Sequence, residues 1–96
     1  MLVVIHEFAE AEINEAKLYY NLQSPGLGDL FLAEVEKSLS QIANFPKATP
    51  LVRDNIRKKI LPCFPYSLLY SIQTNQIRIL AVAHHKRRPF YWRDRT

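Results

Sequence analysis

The sequence predicts a single α+β domain in which an antiparallel pair of helices packs on one face of a sheet. Three observations support this prediction. The chain has 96 residues, 48% of them hydrophobic, which is enough for one core and too little for two domains. Two segments of the first half have a helical period, and three short strand-like segments follow. We therefore expect one domain over residues 1–96, in the order strand, helix, helix, strand, strand, strand.

The first elements are a short strand and an amphipathic helix. Residues 1–5 are apolar and mostly β-branched, which is typical of a short strand. From Glu7 onwards, apolar residues recur every three or four positions, which predicts a helix. Its buried face carries Ala9, Ile13, Ala16 and Tyr20.

A second helix is expected to follow directly. Ser24 and Pro25 predict its start, because a serine side chain can cap the first amides and proline is tolerated in the first turn. Phe45 and Pro46 predict its end, because the residue before proline avoids the helical region. The short connection makes the two helices an antiparallel hairpin. The apolar face of the second helix carries Phe31, Leu32, Val35, Leu39 and Ile42.

The second half of the chain predicts a three-stranded antiparallel meander. Residues 47–53 contain Pro50 and show no period, which indicates a connector. Three strand-like runs then occupy residues 56–61, 66–72 and 77–83, with Pro62, Pro65 and Asn75 marking the turns between them. The last strand is nearly continuous in apolar residues and is expected to lie inside the sheet, under the helices.

The net charge of +4 hides a strong asymmetry between the two halves. Residues 1–50 hold three basic and seven acidic side chains, a net charge of −4. Residues 51–96 hold ten basic and two acidic side chains, a net charge of +8. Such a separation indicates a polyanion or an acidic protein as the partner.

Composition also excludes several classes of protein. One cysteine, Cys63, and three histidines are too few for a disulfide framework or the common structural zinc sites. The sequence predicts no metal and no cofactor. The apolar run at residues 1–5 is too short for a signal peptide or a membrane span. We expect a cytoplasmic protein that does not bind membranes.

The densest chemical feature is the segment at residues 84–95. It holds five basic residues, two histidines and three aromatic residues. This mixture suits nucleic acid, since cations meet phosphates and rings stack on bases. A solvated basic tail whose aromatic rings fold back on the core is an equal alternative. His84 and His85 point to opposite faces of a strand, so at most one of them can serve a given site as a proton donor or acceptor.

Basic residues also lie on the predicted strands. Arg57 and Lys59 share one face and Lys58 points to the other, so Arg57 and Lys59 could join the cations of the tail in one groove. Protection of an edge strand by lysines is a slightly favoured alternative. Arg78 interrupts an apolar strand, and alternation puts it on the face of Leu80, Val82 and His84.

Two other kinds of residue are expected to have no chemical role. The helical acids Glu10, Glu12, Glu15, Glu34 and Glu36 could pass for paired catalytic carboxylates, but we expect them to be exposed helix surface. Cys63 lies between two prolines with no adjacent base, which argues against a nucleophile.

Short sequence patterns spread over nearly the whole chain carry a family resemblance. They are Glu15-Ala16, Tyr19-Tyr20, Gly26-Leu27-Gly28, Phe31-Leu32, Phe45-Pro46, Phe64-Pro65-Tyr66, Tyr70, residues 79–88, Pro89, Tyr91 and Trp92. Together they resemble the RelE/ParE superfamily of toxins from bacterial type II toxin–antitoxin systems. The resemblance implies a small protein that arrests growth and is neutralised by a cognate antitoxin, which wraps it with an acidic segment.

The superfamily contains two kinds of toxin. RelE-like members cleave mRNA on the ribosome through attack by the 2′-hydroxyl of the RNA, and ParE-like members inhibit DNA gyrase. For the nuclease, the resemblance implies His85, Arg87 and Tyr91 as catalytic residues. The nucleases usually carry an arginine where this chain has Ser67, and losing that cation would remove a transition-state contact to phosphate. The pattern at residues 84–92 is closer to the ParE-like branch.

The expected function is therefore a ParE-like toxin that inhibits DNA gyrase. A ribosome-dependent endoribonuclease and a non-toxic nucleic-acid-binding module are the alternatives. The partner expected first is the acidic segment of an antitoxin, and the target is gyrase or ribosome-bound mRNA. The residues predicted to bind target or antitoxin are Arg57, Lys58, Lys59, Arg78, Lys86, Arg88, Trp92 and Arg93.

Overall fold

Five strands and two helices form the fold in a computed structural model that describes residues 1–96. The order of strand, helical hairpin and strands confirms the predicted α+β class. Neither helix is long and apolar enough to cross a lipid bilayer. The elements are β1 (Leu2–Ile5), α1 (Glu7–Gln23), α2 (Leu27–Asn44), β2 (Leu51–Arg53), β3 (Ile56–Ile60), β4 (Tyr66–Gln73), β5 (Gln76–His84) and a 3-10 turn at Arg93–Arg95.

The sheet has five strands in the order β1-β5-β4-β3-β2 and mixed pairing, so the predicted sheet, a three-stranded antiparallel meander, was wrong. Strands β3, β4 and β5 pair antiparallel, but β2 extends them at one edge and β1 pairs parallel to β5 at the other. Strand β2 lies inside the predicted connector, because three residues after Pro50 are too few to show a period. The parallel direction of β1 follows from the long crossover through both helices.

Both helices pack on one face of the sheet, which we call the helix-covered face. The predicted stripe of α1 is confirmed, since Ala9, Ile13 and Ala16 are buried. Phe31 of α2 is also fully buried and belongs to the same core as β4 and β5. This core includes Tyr70, whose hydroxyl donates a hydrogen bond to the Pro46 carbonyl at 2.7 Å.

The opposite face of the sheet is covered by residues 85–96, which we call the C-terminal tail. Trp92 is only 4% exposed and belongs to a second apolar cluster with Leu69, Leu80 and Ala81. We call this side the tail-covered face. Trp92 is thus folded back on the core, as one of the two alternatives expected for the tail, while Phe90 remains exposed.

A bulge in β5 sets which side chains reach each face. Leu69 of β4 lies opposite Ala81, whereas Tyr70 lies opposite Ile79. Leu80 is therefore the extra residue, and the alternation of faces restarts after it.

The connection between the helices depends on glycine rather than on a serine cap. Ser24 ends α1, and the N-cap of α2 is Gly26, with a left-handed φ of 87° and no side-chain cap. At Gly28 an added Cβ would lie 2.0 Å from the Lys17 carbonyl oxygen. The Gly28 amide donates instead to Oδ1 of Asn21 at 2.7 Å, so α2 begins in direct contact with α1.

We predict that Gly28→Ala lowers the free energy of unfolding by about 3 kcal/mol, because the new methyl group collides with backbone that cannot move independently. Gly26→Ala is the matched control. Its Cβ meets nothing within 4 Å, so it carries only the left-handed penalty of about 1–2 kcal/mol. Urea unfolding of the purified chain measures both values, and equal losses would contradict close contact at Gly28.

Candidate functional site

A surface cleft of about 330 Å³ lies between the tail-covered face and the tail. We call it the basic cleft. Its apolar walls include Leu69, Ala83 and Phe90. The basic and histidine residues along its lining are Lys58, His84, His85, Arg87 and Arg88.

Lys58 reaches the basic cleft because of the register of β3. It lies opposite Leu69 of β4, which belongs to the tail-covered cluster. Arg57 and Lys59 point to the helix-covered side, and Arg57 donates hydrogen bonds to the carbonyls of Lys47 and Thr49. Lys58 therefore lies beside the cations of the tail. Arg57 and Lys59, which were expected to join those cations, do not.

The two histidines lie on opposite faces, as their adjacency predicts. His85 is in the basic cleft, where its Nε2 is 2.9 Å from Oγ of the buried Ser67. The His84 ring packs edge-on against Tyr66 at 5.0 Å, and its Nδ1 accepts a hydrogen bond from the Lys86 amide. Ser67, which replaces the arginine expected of a nuclease, thus holds one predicted catalytic side chain.

The tail is fixed to the fold by Glu12, contrary to the expectation that Glu12 is exposed helix surface. Its side chain is only 12% exposed. Oε1 accepts from the Val82 amide at 3.0 Å and from Arg95 at 2.9 Å. Oε2 accepts from the Tyr91 hydroxyl at 2.6 Å and from Arg95 at 3.2 Å. Arg95 also donates to the Leu80 carbonyl at 3.1 Å.

Sequence periodicity could have drawn attention to Glu12. It lies three residues after Ala9 and four before Ala16, both in the buried stripe of α1. A carboxylate on the flank of an apolar stripe must find donors when it is desolvated. The sequence carried no signal that the donors would come from the C-terminal tail.

Tyr91 is enclosed by charged groups. Burial first, and then the hydrogen bond and negative charge of Glu12, raise the pKa of its hydroxyl above the ordinary range, while the cations of Arg95 and Arg87 act in the opposite direction. Arg87 lies 3.9 Å over the Tyr91 ring and 3.7 Å from Oε2 of Glu12. His85, Arg87 and Tyr91 all line the basic cleft, and each has an internal partner.

The remaining predicted site residues are scattered. Arg78 lies opposite Ser71 on the tail-covered side. The bulge at Leu80 separates it from Val82, which packs in the helix-covered core, so the shared face predicted for Arg78, Val82 and His84 was wrong. Arg88 lines the cleft, and Trp92 is buried in its wall. Lys86 and Arg93 are exposed and lie outside it.

A known protein family and a solved structure are similar to this chain. The family model described as the ParE toxin of type II toxin–antitoxin systems, parDE, matches residues 3–89. No curated protein sequence is significantly similar. A solved chain described as belonging to the chromosomal ParDE toxin–antitoxin system from P. aeruginosa has the same fold, with a TM-score of 0.66 and 17% identity. The match covers 88% of this chain and 95% of that chain.

We predict that Glu12→Ala lowers the free energy of unfolding by about 3 kcal/mol or more, because it leaves Arg95 without its buried partner. Hydrogen exchange should also become faster across residues 90–96. Glu15→Ala removes an exposed acid one turn further along α1 and should change stability by less than about 0.5 kcal/mol. If residues 90–96 of Glu12→Ala are as well protected from hydrogen exchange as those of the unmodified chain, Glu12 does not hold the tail.

The raised pKa of Tyr91 predicts a dependence of stability on alkaline pH. Below the ordinary tyrosine value of about 10, its hydroxyl is protonated whether the chain is folded or unfolded. As pH rises above that value, the unfolded chain loses the proton while the folded chain keeps it, so the free energy of unfolding falls. In Tyr91→Phe the fall between pH 9 and 11 should be shallower. If the free energies of unfolding of the unmodified chain and Tyr91→Phe fall in parallel with pH, the proton of Tyr91 is not coupled to stability.

Proposed function

The chain belongs to the family of ParE toxins of type II toxin–antitoxin systems, and from this membership we propose that it arrests bacterial growth by inhibiting DNA gyrase. The observation that carries the proposal is the family match over residues 3–89. The geometry supports action by binding, because the basic cleft offers several cations around apolar walls.

We also propose that a cognate antitoxin neutralises the toxin by covering the basic cleft. Lys58, Arg87 and Arg88 supply positive charge, and Leu69, Ala83 and Phe90 supply apolar contact. An acidic segment with apolar anchors complements both features. The excess of basic residues in the second half of the chain would further speed the encounter with an acidic partner.

Ribosome-dependent cleavage of mRNA is the second candidate, because His85, Arg87 and Tyr91 do line one cleft. Their contacts favour the binding function instead. The Tyr91 hydroxyl donates to Glu12, and Nε2 of His85 is bonded to Ser67. These bonds would have to break before the Tyr91 hydroxyl or Nε2 of His85 could exchange a proton with an RNA.

We predict that expression of the chain alone stops growth and that co-expression of the protein encoded beside it restores growth. Purified toxin should inhibit supercoiling by gyrase. Lys58→Ala should weaken inhibition about tenfold, the usual order for one charge-assisted contact. Lys59→Ala removes the same charge from the neighbouring position on the other side of β3, and should leave inhibition nearly unchanged.

Three results would contradict this proposal. Unimpaired growth with and without the neighbouring protein would exclude a toxin. Equal effects of Lys58→Ala and Lys59→Ala would exclude the basic cleft as the binding surface. Cleavage of ribosome-bound mRNA that is lost in both His85→Ala and Tyr91→Phe would assign the nuclease function instead.

A further inference from the structure

A second and smaller pocket lies on the helix-covered side, between α1 and the end of β5. Its volume is about 270 Å³, which leaves room for one long side chain. We call it the tyrosine pocket, and none of the functions considered above uses it. The side chains that define it are Glu12, Glu15, Tyr19, Tyr66, His84 and Arg87.

The tyrosine pocket contains polar groups that have no partner within the chain. The Glu15 carboxylate makes no ion pair and accepts no side-chain hydrogen bond, and the hydroxyls of Tyr19 and Tyr66 make none either. Glu12, on the same wall, is fully engaged by Arg95, Tyr91 and the Val82 amide. The free carboxylate of the pocket is therefore that of Glu15.

The chain itself shows what this combination of groups can hold. One turn earlier on α1, Glu12 and Tyr91 together bind Arg95, whose guanidinium bonds both carboxylate oxygens and lies 5.1 Å from the centre of the tyrosine ring. Glu15 with Tyr19 and Tyr66 repeats the carboxylate and the aromatic rings. It lacks an arginine bonded to its carboxylate, since Arg87 on the rim pairs with Glu12.

The electrostatic environment of Tyr66 agrees with this comparison. Burial raises the pKa of its hydroxyl, and the neighbouring Tyr20, Tyr19, Glu12 and Glu15 raise it further. The carboxylates of Glu12 and Glu15 disfavour ionisation of the hydroxyl and attract a positive charge. The cation already present on the rim, Arg87, faces Tyr91 at 3.9 Å and Glu12 at 3.7 Å.

We propose that the tyrosine pocket binds an arginine side chain presented by a partner protein. Arginine fits better than lysine, because its planar guanidinium can stack on a tyrosine ring while it forms two hydrogen bonds to one carboxylate. The partner would therefore place a basic anchor here, on the opposite side of the β5 edge from the acidic contacts expected in the basic cleft.

The test is an NMR titration of the full chain with N-acetyl-arginine-N′-methylamide. Saturable shifts should be confined to residues around Glu15, Tyr19, Tyr66 and His84. Glu15→Gln should weaken binding about tenfold, since it removes the charge that the guanidinium meets. Glu10→Gln removes an equivalent exposed charge from the same helix outside the pocket and should leave binding unchanged. The matching citrulline compound, which has no charge, should not bind.

Shifts that do not saturate, that spread along all the acids of α1, or that respond equally to Glu15→Gln and Glu10→Gln would overturn the proposal. Equal binding of the citrulline compound would overturn it too. Because the titration uses the isolated chain and a small probe, it can fail while growth arrest and gyrase inhibition persist. It can equally succeed where they fail.

Discussion

The carboxylate of Glu12 completes the edge of the sheet at the point where β1 ends. Strand β1 pairs with β5 only as far as Ile79. Beyond that point the Val82 amide and the Leu80 carbonyl face a position that no strand occupies, and Glu12 and Arg95 bond them there. Each such buried backbone group would cost about 1–3 kcal/mol if it were left unpaired. The bidentate pair of Glu12 and Arg95 thus forms the hydrogen bonds to β5 that a neighbouring strand would otherwise form.

The arrangement of the tail depends on this interaction. Arg95 and Tyr91 connect the tail to Glu12 around the edge of β5, and Trp92 between them is drawn onto the tail-covered face. The tail then forms one wall of the basic cleft, with Lys58 and His85 on the sheet side. If the tail were released, its cations would remain in the chain but would no longer be held around an apolar wall. The position of the cleft is therefore a consequence of the sheet edge.

Apolar periodicity predicted the parts of the fold that bury apolar side chains. The stripes of both helices and the end of α2 at Phe45 follow from residues close together in sequence. Strand β2 was not predicted because three residues show no period. The bulge at Leu80 was not predicted because an apolar run looks the same with or without it. The role of Glu12 was not predicted because its partners lie about 70 to 83 residues away in the sequence. The register of β3 with β4 explains why Lys58, and not Arg57, belongs to the candidate site.

The most direct test of this account is the hydrogen-exchange rate of the Val82 amide in the unmodified chain. On the side of β5 that faces away from β4, no strand reaches Val82, and the acceptor of its amide is Glu12. We predict that Val82 exchanges as slowly as the amides of β5 that bond to β4. Exchange as fast as that of the exposed amides in the turn at residues 74–75 would contradict the claim that Glu12 completes the sheet and fixes the tail.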